Sequence, residues 1–216
     1  MPPRRKPPPP TLVLFVRHGL TPTTGKVLPG QARGLHLAEA GRAQAQRTGE
    51  RIAVLPRVGA VYSSPLERTR ETAAAIAGPH KLRVRTDRRL LDADTGDWTG
   101  RQLKELVRTP EWRVVQRHPS GFRFPGGESF PEMQARMLAA VDDIRNRHIG
   151  EAVVIVSHAD PIKVAVADAV GSPLDLFQRM NVSPASVTAI VYGELGPNVL
   201  TVNWTGELDG LVPPPS

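Results

Sequence analysis

Two histidines of this chain stand in the same setting. His18 follows the apolar run Leu12-Val13-Leu14-Phe15-Val16 and Arg17, and His158 follows Ala152-Val153-Val154-Ile155-Val156 and Ser157. A neutral imidazole can serve as a nucleophile, and a guanidinium beside it offers planar charged donors that suit phosphate. Either histidine alone is compatible with a strand that merely ends in polar residues. Two of them, on the two most apolar strands, point to facing imidazoles in one crevice, because open α/β sheets bind ligands outside the carboxyl ends of their strands. Arg68 is a third candidate. It lies in Ser63-Ser64-Pro65-Leu66-Glu67-Arg68, where Ser64 is placed to cap a helix, Pro65 to take its first position and Glu67 to close a capping box. The alternative is a surface arginine paired with Glu67 or Glu71. Its position at a helix start on the same sheet edge as His18, where free backbone N–H groups attract anions, favours a role at the site.

Loops surround these residues. Residues 20–37 carry Pro22, Gly25, Pro29, Gly30 and Gly34, a long connection in which Thr21, Thr23 and Thr24 can offer hydroxyl donors. Residues 89–100 form a Gly-punctuated stretch with Asp92, Asp94 and Asp97, any one of which is a weak proton-transfer candidate taken alone.

The elements that must position them alternate between strand and helix. Strands are expected over 12–16, 60–62, 82–85, 152–156, 187–191 and 199–204. A helix is expected over 38–55 from Gly41, Ala45, Thr48, Ile52 and Leu55 at spacings of four and three, and Pro56 stops it. Short helical pieces over 103–107 and 111–116 come before a long helix that starts at Ser129 with a Ser129–Glu132 capping box, and a further helix covers 161–170. Trp98 and Trp112 are expected to pack rather than bind. The fold class is α/β, a three-layer α/β/α sandwich whose central sheet is mostly parallel with an antiparallel edge strand. One domain over 11–205 is expected, with a disordered Pro-rich tail over 1–10 and a loose end over 206–216.

Composition narrows the class. Forty per cent hydrophobic and 23% charged residues are ordinary for a soluble globular chain, and no apolar run approaches the ~20 residues of a spanning helix. A cytoplasmic protein without membrane association is expected, its oligomeric state open. Zero Cys excludes disulfides and thiolate metal sites. Of the net charge of +7, Arg4, Arg5 and Lys6 supply three, and the rest is dispersed without a dense basic run, so a nucleic-acid partner is not expected. A solvated basic surface that attracts anionic substrates accounts for it better.

In order and spacing, Arg17-His18-Gly19, Ser63 through Thr69, Gly96-Asp97-Trp98-Thr99-Gly100, Pro125-Gly126-Gly127-Glu128-Ser129 and Ser157-His158-Ala159-Asp160-Pro161 resemble the histidine phosphatase superfamily. The resemblance is to the branch with cofactor-dependent phosphoglycerate mutases and small phosphatases, and covers roughly residues 12 to 204. Trp112-Arg113-Val114-Val115-Gln116 and Asp175-Leu176-Phe177-Gln178-Arg179 look like a subgroup labelled probable phosphomutases. The resemblance implies His18 as a phosphorylated nucleophile, with Arg17, Arg68 and His158 around the phosphoryl group and neither metal nor other cofactor required. It places Asp92 where the family usually has a glutamate as proton donor, one methylene longer. Asp94 and Asp160 are the reserves, the latter because other branches put an acid beside the second histidine. Thr24 stands where many members carry Asn as an extra phosphate donor. The activity implied is hydrolysis of a phosphorylated small molecule. The alternatives are a phosphoglycerate-type mutase and a phosphate-ligand-binding protein with weak or no turnover.

Overall fold

The computed structural model describes residues 8–206. Six strands form one sheet: β1 (Thr11–Arg17), β2 (Val58–Ser63), β3 (Val84–Thr86), β4 (Ala152–Ser157), β5 (Val187–Gly193) and β6 (Gly196–Trp204), in the order β3-β2-β4-β1-β5-β6. The first four in that order run parallel, and β5 is antiparallel to both β1 and β6. The antiparallel part is therefore a hairpin rather than a single strand. Only two residues, Glu194 and Leu195, separate β5 from β6, too few for a crossover.

Six α-helices accompany the sheet: α1 (Glu39–Ile52), α2 (Glu67–Ala77), α3 (Leu103–Leu106), α4 (Pro110–Arg117), α5 (Phe130–Arg147) and α6 (Ala159–Ala169). Alternation along the central strands divides the core in two. Val13 and Phe15 of β1 pack with Val153 and Ile155 of β4 against Met133, Met137 and Ile144 of α5 and Ile162 of α6. Leu14 and Val16 face the other way, with Val154 and Val156, onto Ile52 of α1 and Ala73 and Ile76 of α2. Burial on both faces is why these strands are continuous apolar runs rather than alternating ones. Trp98 and Trp112 stack at 6.3 Å within an aromatic cluster that includes Phe122 and Phe124, so both are packing residues.

Several boundaries differ from the sequence expectation. α1 ends at Ile52, and β3 starts at Val84, after Lys81 turns the chain at φ 54°. α6 begins at Ala159, which places Pro161 inside its first turn. The start of α2 needs a larger correction. Leu66 is its N-cap with no side-chain cap, while Ser64 lies outside the helix and Ser64 N donates to Val156 O, prolonging the sheet ladder. The α5 capping box is present as expected, with Ser129 Oγ accepting from Glu132 N and Glu132 Oε2 from Ser129 N. The expected tail and C-terminal end lie outside the described residues except for 8–10 and Gly206. Among the described residues no helix is long and apolar enough to cross a membrane.

Candidate functional site

β1 and β4 are parallel neighbours in register, Arg17 beside Ser157, so the residues that follow them emerge side by side at the same sheet edge. His18 N donates to Ser157 O at 3.0 Å, carrying the ladder one step further. The imidazoles of His18 and His158 then meet with ring centroids 5.2 Å apart at 63°. The turn after His18 is held by a close approach to α1. A Cβ on Gly41 would stand 2.0 Å from Leu20 O, and one on Gly19 would stand 2.4 Å from Gly41 O, so neither position has room for a side chain.

His18 is buried, and its Nδ1 lies 2.8 Å from Gly19 O. A carbonyl oxygen only accepts, so Nδ1 carries the proton and the lone pair is on Nε2. Burial, then the charges of Arg17 and Arg68, lower the His18 pKa to about 3, which keeps the ring neutral and nucleophilic at physiological pH. His158 Nε2 lies 3.0 Å from Ser64 Oγ. With the serine hydroxyl donating there, the His158 proton is on Nδ1, 3.6 Å from Asp92 Oδ2. Burial foremost, then Arg68 and His18, hold His158 well below its usual value.

Two guanidiniums flank the rings. Arg17 Nη1 donates to Val182 O at 2.7 Å. Arg68, in the first turn of α2, is fully buried, with Nη2 donating to Gly30 O at 2.7 Å and Nη1 to Ala32 O at 3.2 Å. Burial works against both positive charges, and Asp92 is the foremost group that offsets it at each. Arg17 Nε, Arg68 Nε and His158 Nδ1 are buried without a hydrogen-bond partner. Buried donors are ordinarily satisfied, and three of them on this cluster match the acceptor oxygens of a phosphoryl group.

The acids separate clearly. Asp92 Oδ2 is 3.7 Å from Arg68 Nη2 as well as 3.6 Å from His158, and its side chain is 18% exposed. Burial raises its pKa to about 6 against the pull of Arg68, with Asp160 adding to the rise, so the carboxyl can carry a proton near neutrality. Asp94 is exposed and turns its carboxylate to Gly96 N, away from the cluster. Asp160, in the first turn of α6, pairs with Lys163 Nζ at 3.3 Å and acts on Arg17 and Asp92 through its charge. The Thr24 hydroxyl accepts from Thr21 N and bonds Thr21 Oγ1, both at 2.9 Å, which holds the loop after β1. Ser64, which the sequence presents as a helix cap, is instead the partner of His158. Among the described residues, no group of three or more His, Cys, Asp or Glu could hold a metal ion.

Residues 13–205 match the model of the histidine phosphatase superfamily (branch 1). The chain is 31% identical over 184 residues to phosphoserine phosphatase 1 of Hydrogenobacter thermophilus, covering 83% of this chain and 87% of that protein. It is 34% identical over 155 residues to phosphoglycerate mutase-like protein 4 of Arabidopsis thaliana, covering 70% and 67% of the two. The solved structure of Bacillus stearothermophilus YhfR matches with a TM-score of 0.83 at 29% identity, over 90% of this chain and 97% of that one.

Proposed function

The chain belongs to the histidine phosphatase superfamily, and on that premise we propose that it hydrolyses small phosphomonoesters through a phosphohistidine formed on His18. The observation that carries this reading is the neutral His18 with its lone pair on Nε2, set beside three buried donors that have no partner. Nε2 attacks phosphorus as the bond to the leaving oxygen breaks. Arg17 and Arg68 offset the charge on the equatorial oxygens and the uncharged His158 donates a hydrogen bond to them, the main demand of a loose phosphoryl transfer. Asp92 gives its proton to the departing alcohol. It then takes a proton from water, whose oxygen attacks the phosphohistidine to release inorganic phosphate and free the imidazole. The phosphatase name of the Hydrogenobacter relative supports hydrolysis. Between Gly100 and Glu128 the chain has the four-residue α3, the eight-residue α4 and a single 3-10 turn at Pro119–Gly121, with no long insertion of the kind that would hold a phosphoglycerate for transfer back, which favours hydrolysis over mutase action.

Rapid-quench labelling with a 32P-phosphorylated substrate tests the scheme. Acid-labile label should map to His18 and disappear in His18→Ala along with turnover. Near-normal turnover by His18→Ala would refute it.

A further inference from the structure

The motif Pro125-Gly126-Gly127-Glu128-Ser129 gives no group to the phosphoryl cluster, yet it is fastened to the loop that carries Asp92. Glu128 N donates to Asp94 O at 3.0 Å, and Glu128 Oε1 accepts from Asp94 N at 2.8 Å. A Cβ on Gly127 would fall 2.2 Å from Asp94 O, and one on Gly96 would fall 2.1 Å from Pro125 O, so the two loops close on each other only through glycine. Beyond Glu128 stands Arg136 of α5. Its Nε donates to Glu128 Oε2 at 2.9 Å and its Nη2 to Glu128 Oε1. Its Nη1 donates to Arg89 O at 2.8 Å and Leu91 O at 2.7 Å, and Nη2 also reaches Asp92 O at 2.8 Å. All five guanidinium donors are thereby used. Gln31 Nε2 donates to the same Asp92 carbonyl at 3.0 Å.

Arg136 thus binds the backbone at 89, 91 and 92 and is itself gripped by a carboxylate fixed to residue 94. None of these bonds reaches the phosphoryl cluster, to which Arg136 adds only the last of the charges that lower the His158 pKa. Their joint effect is to fix the backbone from which the Asp92 side chain extends. With one methylene fewer than glutamate, an aspartate has little freedom to correct a misplaced backbone, and a displacement near 1 Å at a reacting group can cost on the order of 10²-fold. We propose that Arg136, braced by Glu128, is the positioning residue that sets the reach of the Asp92 carboxyl to the leaving oxygen, an inference that rests on Asp92 as the proton donor.

Because the effect passes through the acid, it should depend on how much the leaving group requires a proton. The experiment compares glycerol 2-phosphate with p-nitrophenyl phosphate for Arg136→Gln, Arg136→Lys and Glu128→Gln, each made in the wild-type chain and in Asp92→Asn. Arg136→Gln should lower kcat on glycerol 2-phosphate at least ~10-fold more than on p-nitrophenyl phosphate, a fraction of the full effect of a proton donor. KM should hold within about twofold, Arg136→Lys should recover part of the loss, and the basic limb of the kcat–pH profile should shift. In Asp92→Asn the same substitution should cost less than about threefold more, because a device that acts only through the acid has nothing left to position. Equal losses on both substrates, or losses that multiply fully in the Asp92→Asn background, would overturn the proposal. If Arg136→Gln does not fold, Glu128→Gln carries the comparison with the same two outcomes. An Asp92→Asn chain without selective loss on glycerol 2-phosphate removes the acid assignment and this inference with it. A selective loss there with none in the clamp variants removes the inference alone.

Discussion

Arg68→Lys keeps the charge at the site but removes the fork. In the native chain Nη1 and Nη2 donate to Ala32 O and Gly30 O while Nε is buried without a partner, so one planar group offers donors in three directions. A lysine Nζ sits near the position of the guanidinium carbon, one bond short of the terminal nitrogens, and cannot serve all three. Loss of one stabilising donor to the transition state costs ~2.7–4 kcal/mol, or ~10²–10³ in rate. A buried carbonyl left without its donor costs ~1–3 kcal/mol of stability, roughly 2–12 °C in Tm for a domain of this size. The assay is kcat/KM on p-nitrophenyl phosphate at pH 6 alongside a thermal melt. We expect a rate loss of ~10²-fold or more with a lowered Tm. A loss of only a few-fold, with Tm unchanged, would mean that Arg68 neither touches the phosphoryl group nor braces the 30–32 loop.

Four further outcomes are expected. The rate on alkyl phosphates should fall as pH rises through about 6, where Asp92 loses the proton it donates, and should fall again toward pH 3 as His18 protonates; a rate flat from pH 5 to 8 would refute the acid assignment. Asp92 has its folded pKa raised above the 3.8 of the unfolded chain, so its stability penalty grows from about pH 4 to 6 and is complete above; Asp92→Asn should therefore raise stability at pH 7, on the order of 1–3 kcal/mol by urea titration, while it slows alkyl phosphates. Ser64→Ala should lower kcat/KM on p-nitrophenyl phosphate ~10-fold, since His158 loses the bond that fixes its tautomer and ring plane, and an unchanged rate would free His158 from that role. Turnover should persist in excess EDTA, and a loss restored by a divalent cation would contradict a mechanism built from imidazole, guanidinium and carboxyl groups alone.

The parts of the site that were legible in the sequence are those whose signal is local. A histidine at the end of an unbroken apolar run announces its place on the sheet, and His18 and His158 do so twice; parallel pairing of β1 with β4 then brings the rings together. Arg68 was legible because it lies early in a helix after a strand. Ser64 misled for the same kind of reason. Ser-Pro before an acidic residue is the usual wording of a helix start, and nothing local reveals that its hydroxyl turns to a histidine 94 residues away. Thr24 was drawn in by family pattern, and its hydroxyl bonds Thr21 within the same loop. Arg136 gave no signal. An arginine on a helix otherwise marked by buried methionines looks like solvated surface, and its role exists only through carbonyls of a distant loop.

The strand order also governs how the chain can assemble. β1 is made first but pairs with neither β2 nor β3; its two neighbours are β4 and β5. At ~5–20 residues per second, the 134 residues between β1 and β4 take roughly 7–27 s to synthesise. During that interval the nascent chain carries an apolar segment with both edges unsatisfied, the kind that seeds aggregation. The prolines at 8–10 and the charge of Arg17 bracket the run on either side, and such breakers discourage pairing with another chain. His18 is therefore synthesised long before the strand that supplies its surroundings. A ribosome-bound chain stalled before residue 152 should hold His18 exposed to acylating reagents, and release of the full chain should bury it.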